Sequence, residues 1–391
     1  MSAGFEAAHA VLQAEVDAGR LAGVSCATLR HGELIDSFST GLADREAGLP
    51  IRPDTIHRAF SNTKLFTTVL VLMLAERGHW QLDDAVKRWM PAFGAVRVLR
   101  RGATTLDDTE PLQSDITIRQ LITHTSGLAH GVFDPDGLLY KAYFATGVRG
   151  YQTTLAEQMD LLAPLPLSSQ PGTQWEYALG IDVLARLCEI ATGQTFGDAL
   201  QTHILGPLGL VDTGFVLRPD QVPRLAALYK GDLLDPMKPG LERLDTTPWP
   251  DAYVKPVPRQ SGAGGLVSTQ ADMLALLRQL MPGQPSALLQ PATLAAMFVD
   301  QLPAHLCVQF PVPGAIPSLG FGLGGAVVRR ASSLEPTGAV GELQWGGLAG
   351  THWFINPVNG LAGVVMCQRH FGFWHPFWFA YKRQLYAAAG H

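Results

Sequence analysis

Ser61-Asn62-Thr63-Lys64-Leu65-Phe66-Thr67-Thr68-Val69-Leu70-Val71-Leu72-Met73-Leu74-Ala75-Glu76-Arg77 is the stretch on which the fold turns. It is apolar on nearly every face, the pattern of a helix buried on all sides. Gly78 follows as a C-cap candidate. Ser61 and Lys64 stand three residues apart at its start, so on a helix they share one face and the hydroxyl can meet the amine. An amine in an apolar setting gives up its proton more readily, and a neutral amine can accept a serine proton. The helix start also offers free N–H groups and the positive end of the helix dipole, where an oxyanion would form. With 15 serines and 7 lysines in the chain, chance alone supplies roughly 0.3 such pairs, so the spacing needs company to mean chemistry.

Outward from this helix, residues 4–18 carry Phe5, Ala8, Val11, Leu12 and Val16 on one helical stripe. Val24 to Leu29 and Leu34 to Phe38 are short strands joined through His31-Gly32-Glu33, a hairpin pattern. Residues 80–250 read as mostly helical with long loops, and Ile181 to Ala191 is their clearest helix. Strands return at Ala326 to Val328, Leu343 to Gly347, Thr351 to Ile355 and Leu361 to Cys367, and Trp374 to Ala389 closes the chain as a helix. Strands near both ends and helices between them imply an α/β (α+β) fold. Its sheet domain is discontinuous, 1–79 with 260–391, and a mainly helical domain spans 80–259.

The chain has 391 residues, 47% hydrophobic and 16% charged, with net charge −5. That length is large for a single core. The balance calls for no nucleic-acid partner, and the apolar run Val69 to Ala75 is too short to span a membrane. The first residues show no leader pattern. Cys26, Cys188, Cys307 and Cys367 lack metal or redox spacing, and they read as buried thiols in a reducing, cytoplasmic compartment. His352, His370 and His375 match no zinc pattern and read as packing or pocket lining.

Two further segments bear on chemistry. Trp175-Glu176-Tyr177-Ala178-Leu179 brings a tyrosine from a loop into a helix, where its hydroxyl can relay a proton. Leu343-Gln344-Trp345-Gly346-Gly347-Leu348 puts paired glycines at a strand end, where a substrate can approach backbone N–H groups. The G-x-S-x-G elbow of α/β-hydrolases is absent from the chain. His124-Thr125-Ser126-Gly127 reads as a structural turn.

In order and separation these three segments resemble the serine β-lactamase and penicillin-binding protein superfamily, in its class C-like branch. Leu121 to Leu128 and Ser261-Gly262-Ala263-Gly264-Gly265-Leu266 resemble recurring segments of that branch. The nearest pattern is that of the family VIII carboxylesterases. The resemblance implies a class C β-lactamase-like fold: a central antiparallel sheet flanked by helices, an α-rich lobe, and the active site between them. It implies Ser61 as nucleophile, Lys64 and Tyr177 as proton-transfer partners, and the Ser61 and Leu348 N–H groups as the oxyanion hole. It needs no metal and no cofactor.

Two departures separate this chain from lactamases. Trp345-Gly346-Gly347 stands where Lys-Thr-Gly is usual, and Tyr177-Ala178-Leu179 stands where Tyr-x-Asn is usual. Both suit a neutral, apolar ester of short to medium chain length, with Trp345, Gly346 and Gly347 at the acyl pocket. Phe133, Tyr140 and Tyr253 join them as expected lining residues, with Tyr143 and Trp249 nearby. Acyl transfer to an alcohol, or weak lactamase or D-amino peptidase activity, are the alternatives on the same scaffold.

Overall fold

The computed structural model describes residues 4–130, 134–244, 248–249 and 251–391. Its centre is an eight-stranded sheet. The strands are β1 (Gly23–Arg30), β2 (Glu33–Asp44), β3 (Leu49–Pro50), β4 (Leu319–Phe321), β5 (Ala326–Val328), β6 (Leu343–Gly346), β7 (His352–Asn356) and β8 (Leu361–Cys367). They lie in the order β4-β5-β6-β7-β8-β1-β2-β3, every neighbour antiparallel. β1 therefore pairs with β8 from the other end of the chain, in a register that runs from Val24 opposite Cys367 to Arg30 opposite Leu361.

The β1–β2 hairpin turns at His31 and Gly32, both at positive φ. That is the conformation which matches the right-handed twist of the flanking strands. β2 runs to Asp44, well past the Phe38 expected from sequence. Polar Ser39-Thr40 and Gly41 hide its second half from hydrophobic alternation, yet Ser39, Thr40 and Gly41 still pair with β1.

Five helices position the rest: α1 (Glu6–Asp17), α2 (Thr63–Glu76), α3 (Gly180–Thr192), α4 (Gln270–Leu280) and α5 (Pro376–Ala388). Alternate side chains of the central strands serve opposite faces, as the two-residue strand period requires. Val24, Cys26, Leu361 and Val365 join Leu12 of α1 and Trp378 and Leu385 of α5. Ala27, Leu29, Ala362 and Val364 join the larger cluster of α2, α3 and α4. Antiparallel strands with helices on both faces make this a mixed α and β fold, a central antiparallel sheet flanked by helices as expected.

In α2 every residue from Thr63 to Leu74 is buried, as its uniformly apolar sequence predicts. α2 packs on α3, α3 packs in turn on shorter helices of the middle of the chain, and α4 packs on β8 and β1 of the sheet. α5 starts at Pro376 rather than Trp374, because His375 acts as N-cap: its Nδ1 accepts the Phe377 N–H at 3.3 Å. Among the described residues no helix is long and apolar enough to cross a membrane.

Candidate active site

Ser61 lies in a short 3-10 turn, Phe60–Asn62, that feeds directly into α2. Phe60 is held at φ 44, an uncommon conformation for a residue with a side chain. The segment 261–266 staples this turn in place. Leu266 accepts the Ala59 N–H at 3.0 Å and donates its own N–H to Thr63 Oγ1 at 3.1 Å. Thr67 Oγ1 donates to the Gly262 carbonyl at 2.7 Å. Asp182 on α3 anchors the segment from behind by accepting from Ser261 Oγ at 2.8 Å and the Ala263 N–H at 3.0 Å.

On this scaffold three side chains converge. Ser61 Oγ and the Tyr177 hydroxyl are 2.6 Å apart. Lys64 Nζ donates to Ser61 Oγ at 3.1 Å and to the Ala263 carbonyl at 2.6 Å, and it sits 4.6 Å from the Tyr177 ring centre. Lys64 and Tyr177 are buried, and Ser61 is half-buried. A hydroxyl within hydrogen-bond reach of both an amine and a phenol can lose its proton without water's help.

Tyr177 is held by a segment whose part in the site was not read from sequence. His124, at φ 58, accepts the Ala178 N–H through Nδ1 at 3.1 Å and the Glu176 N–H through its carbonyl at 2.9 Å. The residues on either side of Tyr177 are thus clamped to one histidine. Burial and the nearby Lys64 charge hold His124 neutral, well below the usual imidazole range. His130 also stacks on the phenol, with ring centres 5.3 Å apart. Burial, then Arg149, then Lys64 depress its pKa too. The turn expected at 124–127 is structural as read, but its consequence is the aim of Tyr177.

The three side chains open into a cavity of ≈ 400 Å³. Phe310, Trp345, Phe373, Trp374 and Trp249 form much of its wall, with Gly346 and Leu348 at the β6 end. Trp345 faces Tyr177 at 5.5 Å and Phe373 at 5.5 Å between ring centres. The Gly347 N–H is spent on the Thr351 carbonyl at 2.7 Å. Leu348 is half-buried and lines the same cavity as Ser61, and among the described residues its N–H has no acceptor.

Several expected lining residues lie elsewhere. Gly347 is outside the wall: a Cβ there would meet Thr351 Oγ1 at 2.4 Å and the Ala59 carbonyl at 2.5 Å. It is glycine so that β6 can press against the Ser61 turn. Tyr253 is buried with Ile56, Leu217 and Val267, behind Trp249, which takes the cavity position instead. Both Asp251 and Tyr253 have positive φ, and the turn they make carries the Tyr253 ring away from the cavity. Tyr140 lines a neighbouring chamber of ≈ 1050 Å³. Tyr143 is core. Phe133 lies outside the described residues.

Of the histidines expected to pack, His352 stacks on Trp378 at 4.2 Å with nearly parallel ring planes, and burial pushes its pKa down to about 3. Sequence reasoning did not single out His130, Arg149, Asp182 or Phe310, all in the cavity wall. His130 and Arg149 sit on loops, Asp182 inside a helix and Phe310 in a short strand, and no short motif flags them.

Comparison with known proteins follows the geometry. Esterase EstB of Burkholderia gladioli is 33% identical over 384 residues, covering 94% of this chain and 91% of that protein. The structure of EstCE1, a hydrolase with promiscuous acyltransferase activity, superposes with a TM-score of 0.80 at 28% identity, covering 97% of this chain and 98% of that one. Simvastatin synthase (LovD) of Aspergillus terreus, unliganded, superposes with a TM-score of 0.80 at 26% identity, covering 97% of each chain. The Beta-lactamase family model matches residues 8–379, and the chain belongs to that family.

Proposed function

We propose that the protein is a serine carboxylesterase acting on short- to medium-chain esters through an acyl-enzyme on Ser61. One observation carries the reading: Ser61 Oγ lies within hydrogen-bond reach of both Tyr177 and Lys64 on the floor of an aromatic cavity. Similarity to Esterase EstB supports the choice of ester over lactam. So does Trp345, whose indole stands where a lactamase keeps a cation.

Ser61 Oγ attacks the ester carbonyl carbon while its proton passes to the Lys64–Tyr177 pair. The N–H groups of Ser61 and Leu348 hold the negative oxygen of the tetrahedral intermediate. As the intermediate collapses, the carbon–oxygen bond to the alcohol breaks and the pair returns the proton to the leaving oxygen. Water then attacks the acyl-enzyme by the same route in reverse order, releasing the acid and restoring Ser61. In this reading residues 1–79 with 260–391 form one lobe, residues 80–259 the other, and the reaction takes place between them. The four free cysteines suit a reducing, cytoplasmic setting.

The test compares p-nitrophenyl butyrate with nitrocefin, in wild type and Ser61→Ala. We expect fast ester cleavage, slow lactam cleavage, and a loss in the variant on the order of 1,000-fold or more. Wild-type rates in a folded Ser61→Ala protein would remove the nucleophile. A second reading, acyl transfer to an alcohol, draws support from the aromatic part of the wall and from the likeness to EstCE1. Product analysis with a competing alcohol separates it from hydrolysis.

A further inference from the structure

Part of the cavity wall is not apolar. Arg149 and Arg259 line it together with Gln158 and Asp182. Arg259 is only 6% exposed, and it donates through Nη1 to the Val148 carbonyl at 2.5 Å and through Nη2 to Thr153. Its Nε is buried without a partner. Arg149 spends Nη1 on His130, at 2.7 Å from the carbonyl and 3.3 Å from Nδ1. Its Nε and Nη2 donate to no protein group among the described residues.

Neither guanidinium has a carboxylate within ion-pair distance among the described residues. The acidic group both feel is Asp182. That carboxylate already accepts from Ser261, the Ala263 N–H and, at 3.4 Å, Gln158. Two cations and one anion leave this wall with an excess positive charge, in a place where burial penalises charge heavily. A guanidinium with two adjacent donors open matches a carboxylate, which it binds through two parallel hydrogen bonds. The position is tied to the reaction centre: Arg149 holds His130, His130 stacks on Tyr177, and Tyr177 touches Ser61.

We infer that the substrate is an ester that also carries a free carboxylate, held by Arg149 while Arg259 adds charge from behind. This departs from the neutral ester expected from Trp345 alone: the cation missing from β6 is supplied by other residues of the cavity wall. The inference rests on the esterase reading. The carboxylate takes no part in bond making and serves only to place the ester over Ser61.

The experiment measures kcat/KM for charged and neutral pairs of matched size. p-Nitrophenyl hydrogen glutarate is compared with p-nitrophenyl pentanoate for charge on the acyl half. 4-Carboxyphenyl butyrate is compared with phenyl butyrate for charge on the alcohol half. In wild type we expect a preference of about tenfold for the anion on one half, shrinking as salt is raised. Arg149→Met should cut that ratio about tenfold, and Arg149→Lys should keep most of it. A wild-type ratio at or below one in both pairs overturns the inference, and needs no variant to fold. So does a ratio that Arg149→Met leaves unmoved. If the neutral esters are cleaved in a Ser61-dependent way without anion preference, only this inference falls. If Ser61→Ala cleaves them as well as wild type, the esterase reading itself falls.

Discussion

Glu176 shares a loop with Tyr177 and lines the larger neighbouring chamber. Burial pushes its pKa up to about 7, against a hydrogen bond from Ser168 that works the other way. In the unfolded chain the same carboxyl ionises near its ordinary value of 4.5. Between those values the unfolded chain has lost a proton that the folded one keeps, so stability falls as pH rises from about 4.5 to about 7. Glu176→Gln should therefore stabilise the protein at pH 8, on the order of 2 kcal/mol. At pH 4 it should do almost nothing. Thermal melts of both proteins at the two pH values check this, and an equal shift at both would discard it. The residue scale is also where sequence reading was most uneven. Ser61, Lys64 and Tyr177 fall in short motifs, and the structure brings their side chains together. Arg149 and His130 belong to no motif. They meet the cavity because His130 stacks on Tyr177 and Arg149, far along the chain, donates to His130, contacts that local patterns do not encode.

At the scale of elements, the contact between β6 and the start of α2 decides the aim of the nucleophile. Gly347 follows β6 directly, and its Cα lies so close to the Ala59 carbonyl and Thr351 Oγ1 that no side chain fits. Gly347→Ala must push the strand end away from the Ser61 turn. We expect a loss of about 1–3 kcal/mol from overpacking. Esterase activity should fall further than that loss explains, because the Leu348 N–H moves with the strand. Chemical denaturation and kcat/KM on one preparation test both parts, and wild-type activity at reduced stability would separate Leu348 from the reaction. Elements with strong patterns were legible from sequence: uniformly apolar α2, the β1–β2 turn, and β6 to β8. β2 past Phe38 and the start of α5 were not, since polar strand residues and a histidine cap carry little signal.

At the scale of the whole molecule, several buried histidines are held neutral. His57 is pushed down to about 4 and His352 to about 3, chiefly by burial, and His124 and His130 lie well below the usual range. As pH drops below about 6.5 the unfolded chain takes up protons there that the folded chain refuses, so stability is lost toward pH 4. Each group adds up to about 1.4 kcal/mol per pH unit over its own window. Glu176 offsets only part of this. Urea midpoints at pH 7 and pH 5 should differ clearly, with the lower value at pH 5, and equal midpoints would refute the assignment.

The pairing of β1 with β8 has a consequence for how the protein is made. During synthesis β1 and β2 leave the ribosome long before the strand that covers β1's open edge, Leu361–Cys367. At about 5–20 residues per second that edge waits on the order of tens of seconds with its backbone N–H and C=O groups unpaired. The nascent β1–β2 hairpin is thus exposed to aggregation until translation reaches β8. A chain released before residue 361 should collect in inclusion bodies or on chaperones, whatever the state of its catalytic residues.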